Sequence, residues 1–83
     1  MPDFRFAVAV MPKPGILDPQ GRAVEQSLGH LDLDGVRDVR IGRHVELTVS
    51  ASGEAQAREV VAKLADELLA NPLVETYQLE RLA

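Results

Sequence analysis

The stretch Phe4-Arg5-Phe6-Ala7-Val8-Ala9-Val10-Met11 decides how the rest of the chain must be arranged. Phe4, Phe6, Val8 and Val10 alternate onto one face, the period-2 signature of a strand. The opposite face carries Ala7, Ala9 and Met11, so apart from Arg5 the segment is apolar on both sides. A strand of that kind belongs in the middle of a sheet rather than at its edge.

After this strand the period changes. Asp18-Pro19 reads as a helix N-cap followed by proline at the first helical position, where its missing N–H costs nothing. From Pro19 to about Leu31 the apolar residues Val24, Leu28 and Leu31 recur at helical spacing, supported by Ala23 and Ser27. Asp32-Leu33-Asp34-Gly35 closes that helix as a turn. Its acidic pair does not follow calcium-loop spacing, because the glycine comes too early and Arg43 falls where a bidentate Glu is needed. Residues 36–41 and 44–51 read as two strands joined across Gly42-Arg43 as a two-residue hairpin. In the later strand Val45, Leu47 and Val49 point one way, and His44, Glu46, Thr48 and Ser50 the other. Ser52 is placed to cap a second helix running to about Ala70, with Glu54 in its first turn. Ala57, Val60, Val61, Leu64 and Leu68 form its expected buried stripe, and Glu59 with Lys63 an exposed pair. Asn71-Pro72 ends it, with Asn71 expected in the left-handed region. A last strand spans residues 73–82, with Tyr77 and Leu79 facing inward.

The order β-α-β-β-α-β predicts an α+β two-layer sandwich of ferredoxin-like type, an antiparallel sheet with both helices on one face. The 83 residues fit a single domain, 1–83. The sheet's other face, lined by Ala7, Ala9, Met11 and Thr48, is expected to be small and weakly polar, which predicts a homo-oligomer (homodimer or homotetramer) formed through sheet contacts.

Composition narrows the function. A net charge of −4 with scattered basic residues argues against nucleic acid, since phosphate binding needs clustered Lys and Arg. Arg37, Arg40 and Arg43 come nearest to a cluster, but Asp38 interrupts them. With no cysteine there is no disulfide framework and no thiolate metal site. No apolar run approaches the ~20 residues of a membrane span, and the expectation is a soluble, cytoplasmic protein. No serine lies in a nucleophile elbow, and the glycines form neither a Walker loop nor a dinucleotide fingerprint. His30 and His44 fall on polar faces and read as solvated; Glu54, Glu59, Asp66 and Glu67 read as a solubilising helix surface. No catalytic residue, cofactor site or metal site is predicted on this chain.

One segment is built for something other than chemistry. In Lys13-Pro14-Gly15-Ile16-Leu17-Asp18-Pro19-Gln20-Gly21 two prolines fix φ and bias the residues before them. This stiff loop nevertheless holds bare Ile16 and Leu17 among turn residues. It serves either as a connector whose apolar residues tuck under the domain or as a docking surface.

That loop resembles the signature of the PurS family, the small subunit of bacterial and archaeal phosphoribosylformylglycinamidine (FGAM) synthase. The likeness continues through Val39-Arg40, Gly42-Arg43 and Glu46-Leu47 to Leu68-Leu69-Ala70-Asn71-Pro72-Leu73-Val74-Glu75-Thr76-Tyr77, almost the whole chain. Arg43 stands where the family more often shows lysine and Leu73 where it shows valine, which changes neither charge nor apolar character. The resemblance implies a non-catalytic subunit of a purine-biosynthetic ligase. The glutaminase chemistry would reside on a PurQ partner, and the ATP- and magnesium-dependent amidation on a PurL partner. It implies a bridging role that helps ammonia pass between them, with Lys13, Pro14, Gly15, Ile16, Leu17 and Gln20 as candidate partner contacts. The competing reading is an ACT-like ligand-sensing domain of the same element order, but the proline-rich loop offers few convergent polar groups for an amino acid. An RNA-recognition module is disfavoured because residues 44–51 hold no aromatic on which a base could stack.

Overall fold

The computed structural model describes every residue except Asp34, which falls in the turn predicted after the first helix. Strand β1 (Asp3–Pro12) leads through the loop into helix α1 (Pro19–Ser27), which tightens into a 3-10 turn at Leu28–Leu31. Strand β2 (Arg43–Ser50), helix α2 (Glu54–Leu64), a π-helical turn (Ala65–Leu69) and strand β3 (Glu75–Arg81) complete the chain. The sheet is antiparallel in the order β2-β1-β3, so the two-sided apolar strand is central as its sequence requires.

Register follows from burial. Phe6 faces Leu47, and Val8 faces Val45 on one side and Leu79 on the other, while Val10 pairs with Tyr77. These side chains share one face, on which α2 lies. Ala57, Val61 and Ala65, four residues apart, press onto Phe4, Phe6, Val8, Val10, Val49 and Ala51. The result is an α+β sandwich of ferredoxin-like arrangement with α2 on the sheet; α1, none of whose residues joins this core, extends beyond the sheet instead of sharing that face as the sequence predicts.

The predicted β-α-β-β-α-β order loses its second strand. Residues 36–41 join no ladder, and Gly42-Arg43 is not a hairpin turn. Asp38 sits at φ 57°, which breaks an extended run. The backbone N–H groups of Val39 and Ile41 donate to the carboxylates of Glu25 and Asp18, at 2.9 and 2.7 Å. This segment is therefore bound to α1 rather than to β2.

Other local expectations need correction. Helix α2 is capped by Gly53, and Ser52 instead donates to Gln56 Oε1. Its ion pair is Glu54–Arg58 at 3.6 Å rather than Glu59–Lys63. Val60 and Leu68 lie outside the core. The π turn, in which Ala70 N–H donates to Ala65 C=O, advances the helical phase, so Leu69 and Ala70 pack against the core while Leu68 swings out. Asn71 is not left-handed; its Oδ1 accepts from Leu73 N–H in an Asx turn. The sheet's open face is more charged than expected. Glu46 and Glu80 flank Ala7, His44 and Gln78 flank Ala9, and Arg5 pairs with Glu46 at 3.2 Å. Such a face suits water, which removes the sequence-based reason for placing an oligomer contact there.

Candidate docking loop

The loop from Lys13 to Asp18 is fixed at both ends and bare in the middle. Ile16 N–H donates to Lys13 C=O at 3.1 Å, closing a turn with Pro14 second and Gly15 third. Gly15 has φ 83°, the left-handed value that a type II turn demands at that position and that glycine adopts without strain. Lys13 N–H donates to Val74 C=O at 2.8 Å, tying the loop to the turn before β3. At its far end Asp18 caps α1, one carboxylate oxygen accepting from Gly21 N–H at 3.0 Å and the other from Ile41 N–H. Between these anchors Ile16 and Leu17 stay exposed, Leu17 at 70%. Their apolar surface does not tuck under the domain. Pro14, Gly15 and Gln20 are exposed too, and Lys13 is half-buried.

An open cleft of about 950 Å³ runs alongside, lined by Ile16, Leu17, Arg22, Glu25, Asp38 and Arg40. Sequence reasoning missed the contribution of Asp38 and Arg40, because it placed them in a strand. It also missed Leu68 and Leu73, both largely exposed, the latter at 82%. Leu73 lies in the turn that Lys13 touches, and no sequence signal announced the π turn that expels Leu68. Arg43 locks this region, donating to Leu69 C=O at 2.7 Å and to Glu75 Oε1 at 2.9 Å.

The charges here are structural. Backbone N–H donors of Gly21 and Ile41 hold the Asp18 carboxyl below its ordinary range. The Arg43 guanidinium, with Asn71 N–H, does the same for Glu75. The unfolded chain therefore binds more protons than the folded one as pH drops through the ordinary carboxylate range near ~4. Stability should be fully present above that range and should fall progressively until both folded values are passed. Chemical denaturation at stepped pH should show this slope, and Asp18→Asn combined with Glu75→Gln should flatten it. An unchanged slope in the double variant would assign the acid sensitivity elsewhere.

No set of three His, Asp or Glu side chains among the described residues converges on a common metal position. His44 Nε2 lies 3.1 Å from Glu46 Oε2 on the exposed sheet face. No helix is long and apolar enough to cross a membrane among the described residues.

A small α+β sandwich whose firmly anchored loop presents aliphatic side chains to solvent is the kind of chain that works as one subunit among others. The family model for PurS, phosphoribosylformylglycinamidine (FGAM) synthase, matches residues 5–83, and the chain belongs to that family. It is 44% identical over 77 residues to the phosphoribosylformylglycinamidine synthase subunit PurS of Synechocystis, covering 93% of this chain and 77% of that one. The crystal structure of the Thermotoga maritima purS subunit superposes with a TM-score of 0.89 at 36% identity, covering 98% and 93% of the two chains. A chain in the structure of PurLQS from the same organism gives 0.90 at 36% identity, covering 99% and 100%.

Proposed function

We propose that this chain is the bridging, non-catalytic subunit of an FGAM synthase, joining a PurL-type synthetase to a PurQ-type glutaminase in the cytoplasm. The observation that carries this reading is the match to a chain of the PurLQS structure over nearly the full length of both. In the reaction, glutamine and ATP convert formylglycinamide ribonucleotide to FGAM. Glutamine hydrolysis and ATP-dependent amidation occur on the partners, which hold the nucleophile, ATP and magnesium; this chain carries none of them.

The bridging role has a physical rationale. Ammonia released to neutral water is mostly protonated, and ammonium is not a nucleophile. Two active sites held together with water excluded between them keep the intermediate neutral and near its target. The residues assigned to partner contact are Lys13, Pro14, Gly15, Ile16, Leu17 and Gln20. Asp18 shapes the loop through its two backbone bonds rather than touching a partner.

The test is a double substitution, Ile16→Asp with Leu17→Asp. Both side chains are exposed, so far-ultraviolet circular dichroism should remain that of the folded protein. Co-elution with PurL and PurQ should be lost, and with it glutamine-dependent synthesis of FGAM. A ternary complex that still assembles would reject the loop as the docking element. Full glutamine-dependent output from PurL and PurQ without this chain would reject the bridging role itself.

A further inference from the structure

Behind the docking loop, three stretches far apart in the chain meet around a second, smaller pocket. It holds about 310 Å³ and is lined by Lys13, Asp66, Ala70, Pro72, Glu75 and Tyr77. Only Lys13 borders both this pocket and the larger cleft. The walls are fixed in advance. Lys13 N–H donates to Val74 C=O, Ala70 N–H to Ala65 C=O, and Arg43 to both Leu69 C=O and Glu75 Oε1. A preformed pocket loses little binding energy to ordering its own groups.

The pocket's polar groups carry both signs and do not satisfy one another. The Glu75 side chain is only 16% exposed. Arg43 and Asn71 N–H both bond to its Oε1, at 2.9 and 2.7 Å, which leaves Oε2 without a hydrogen-bond partner among the described residues. Neither Lys13 nor Asp66 forms an ion pair among the described residues, although they border the same space. The Tyr77 hydroxyl lies 3.5 Å from Ala62 C=O, and burial together with the Asp66 carboxylate pushes its pKa up. It stays protonated at neutral pH, and its oxygen keeps lone pairs free to accept.

Size and charge decide the ligand. A volume of ~300 Å³ is the lower end for ligand pockets, so only a small molecule enters. An anion alone would face Asp66 and Glu75, and a cation alone would face Lys13. A molecule with both charges close together satisfies every group. We propose that this pocket binds a free α-amino acid, its carboxylate on Lys13 and its ammonium among Asp66, Glu75 Oε2 and the Tyr77 hydroxyl oxygen. Its side chain rests against Ala70 and Pro72. Polar groups that the proline-rich loop lacks come here from the π turn and from β3. The assignment goes beyond the bridging role and does not depend on it.

The isolated chain suffices for the test. Glycine or L-glutamine titrated into ¹⁵N-labelled protein should give saturable amide shifts centred on Ala70, Asn71, Thr76 and Tyr77, with half-saturation at ~1 mM. Acetate and methylammonium, which carry one charge each, should give none at the same concentrations. Asp66→Asn and Lys13→Met should each weaken glycine binding at least about 10-fold, because each removes a charge-assisted hydrogen bond. Asp66 is exposed and asparagine keeps its shape, so that variant should retain the parent's amide spectrum elsewhere. The proposal is overturned if no saturable shift appears, if acetate or methylammonium acts as strongly, or if Asp66→Asn binds glycine undiminished. Shifts at these residues produced only by PurL or PurQ would make the pocket part of the docking surface and overturn it as well.

Discussion

Phe6→Ala should remove a large share of the chain's stability at 25 °C, more than any other single truncation of the core. Phe6 is fully buried at the centre of β1, opposite Leu47 and beneath Ala57, Val61 and Ala65, with the Arg58 guanidinium 5.5 Å from its ring centroid. Removing a buried phenylalanine ring costs about 3–5 kcal/mol, the lost transfer energy plus the cavity left behind. A domain of this length has roughly 4–12 kcal/mol in total. The core is also thin, one helix on three strands, so few neighbours can relax into the space. Urea titration followed by circular dichroism should move the Phe6→Ala midpoint well below that of the parent, by about 3–5 kcal/mol of unfolding free energy. Phe6→Leu, which keeps most of the volume, should cost less than half as much. A Phe6→Ala unfolding free energy within about 1 kcal/mol of the parent's would mean that the core is held chiefly elsewhere.

Gly42→Ala is the second substitution expected to do serious damage, and not for the reason that a turn glycine would suggest. Gly42 has no positive φ and makes no hairpin. It lies just before the Val10–Arg43 pair that starts the β1–β2 ladder, and a methyl group there would fall on the Val10 carbonyl oxygen and 2.5 Å from Met11 Sδ. The thioether can swing away, but the carbonyl belongs to a buried central strand and cannot. Relief requires the start of β2 to lift, breaking the last ladder pair and disturbing the Arg43 bonds to Leu69 and Glu75. Overpacking of this kind costs about 1–3 kcal/mol. Gly53→Ala is the control: a methyl group added there would meet nothing within 4 Å, and a gain from reduced unfolded-state entropy offsets a weaker N-cap. Parallel thermal melts should separate the two variants clearly, and equal melts would show that the Gly42 site gives way freely.

The two substitutions also mark how far the sequence can be read. Phe6 is visible at once, because alternation along residues 4–10 is a local property that tertiary packing reinforces. The same holds for the Asp18-Pro19 cap, whose carboxylate accepts from Gly21 as its position predicts. Gly42 reads as a turn residue in the sequence because glycine signals either freedom or closeness, and only the neighbouring strand decides which. Residues 36–41 show the same limit. Their composition suits a strand, but two carboxylates, Asp18 and Glu25, reach the segment from α1 and claim its N–H groups.

The docking loop is legible in its stiffness and in its two misplaced aliphatic residues; that they face solvent is not. Exposure depends on what else occupies the space, as Leu68 demonstrates, expelled from a predicted stripe by a π turn with no sequence mark.

By itself, the sequence determined the central strand, both helices, the inward faces of the outer strands and the family, because each rests on periodicity or on motifs a few residues long. Only the tertiary structure decided that the sheet has three strands, that α1 extends beyond it and that the open face is charged. Those outcomes turn on which groups meet across long stretches of chain, where competing hydrogen bonds and the space left by one helix over three strands settle the arrangement.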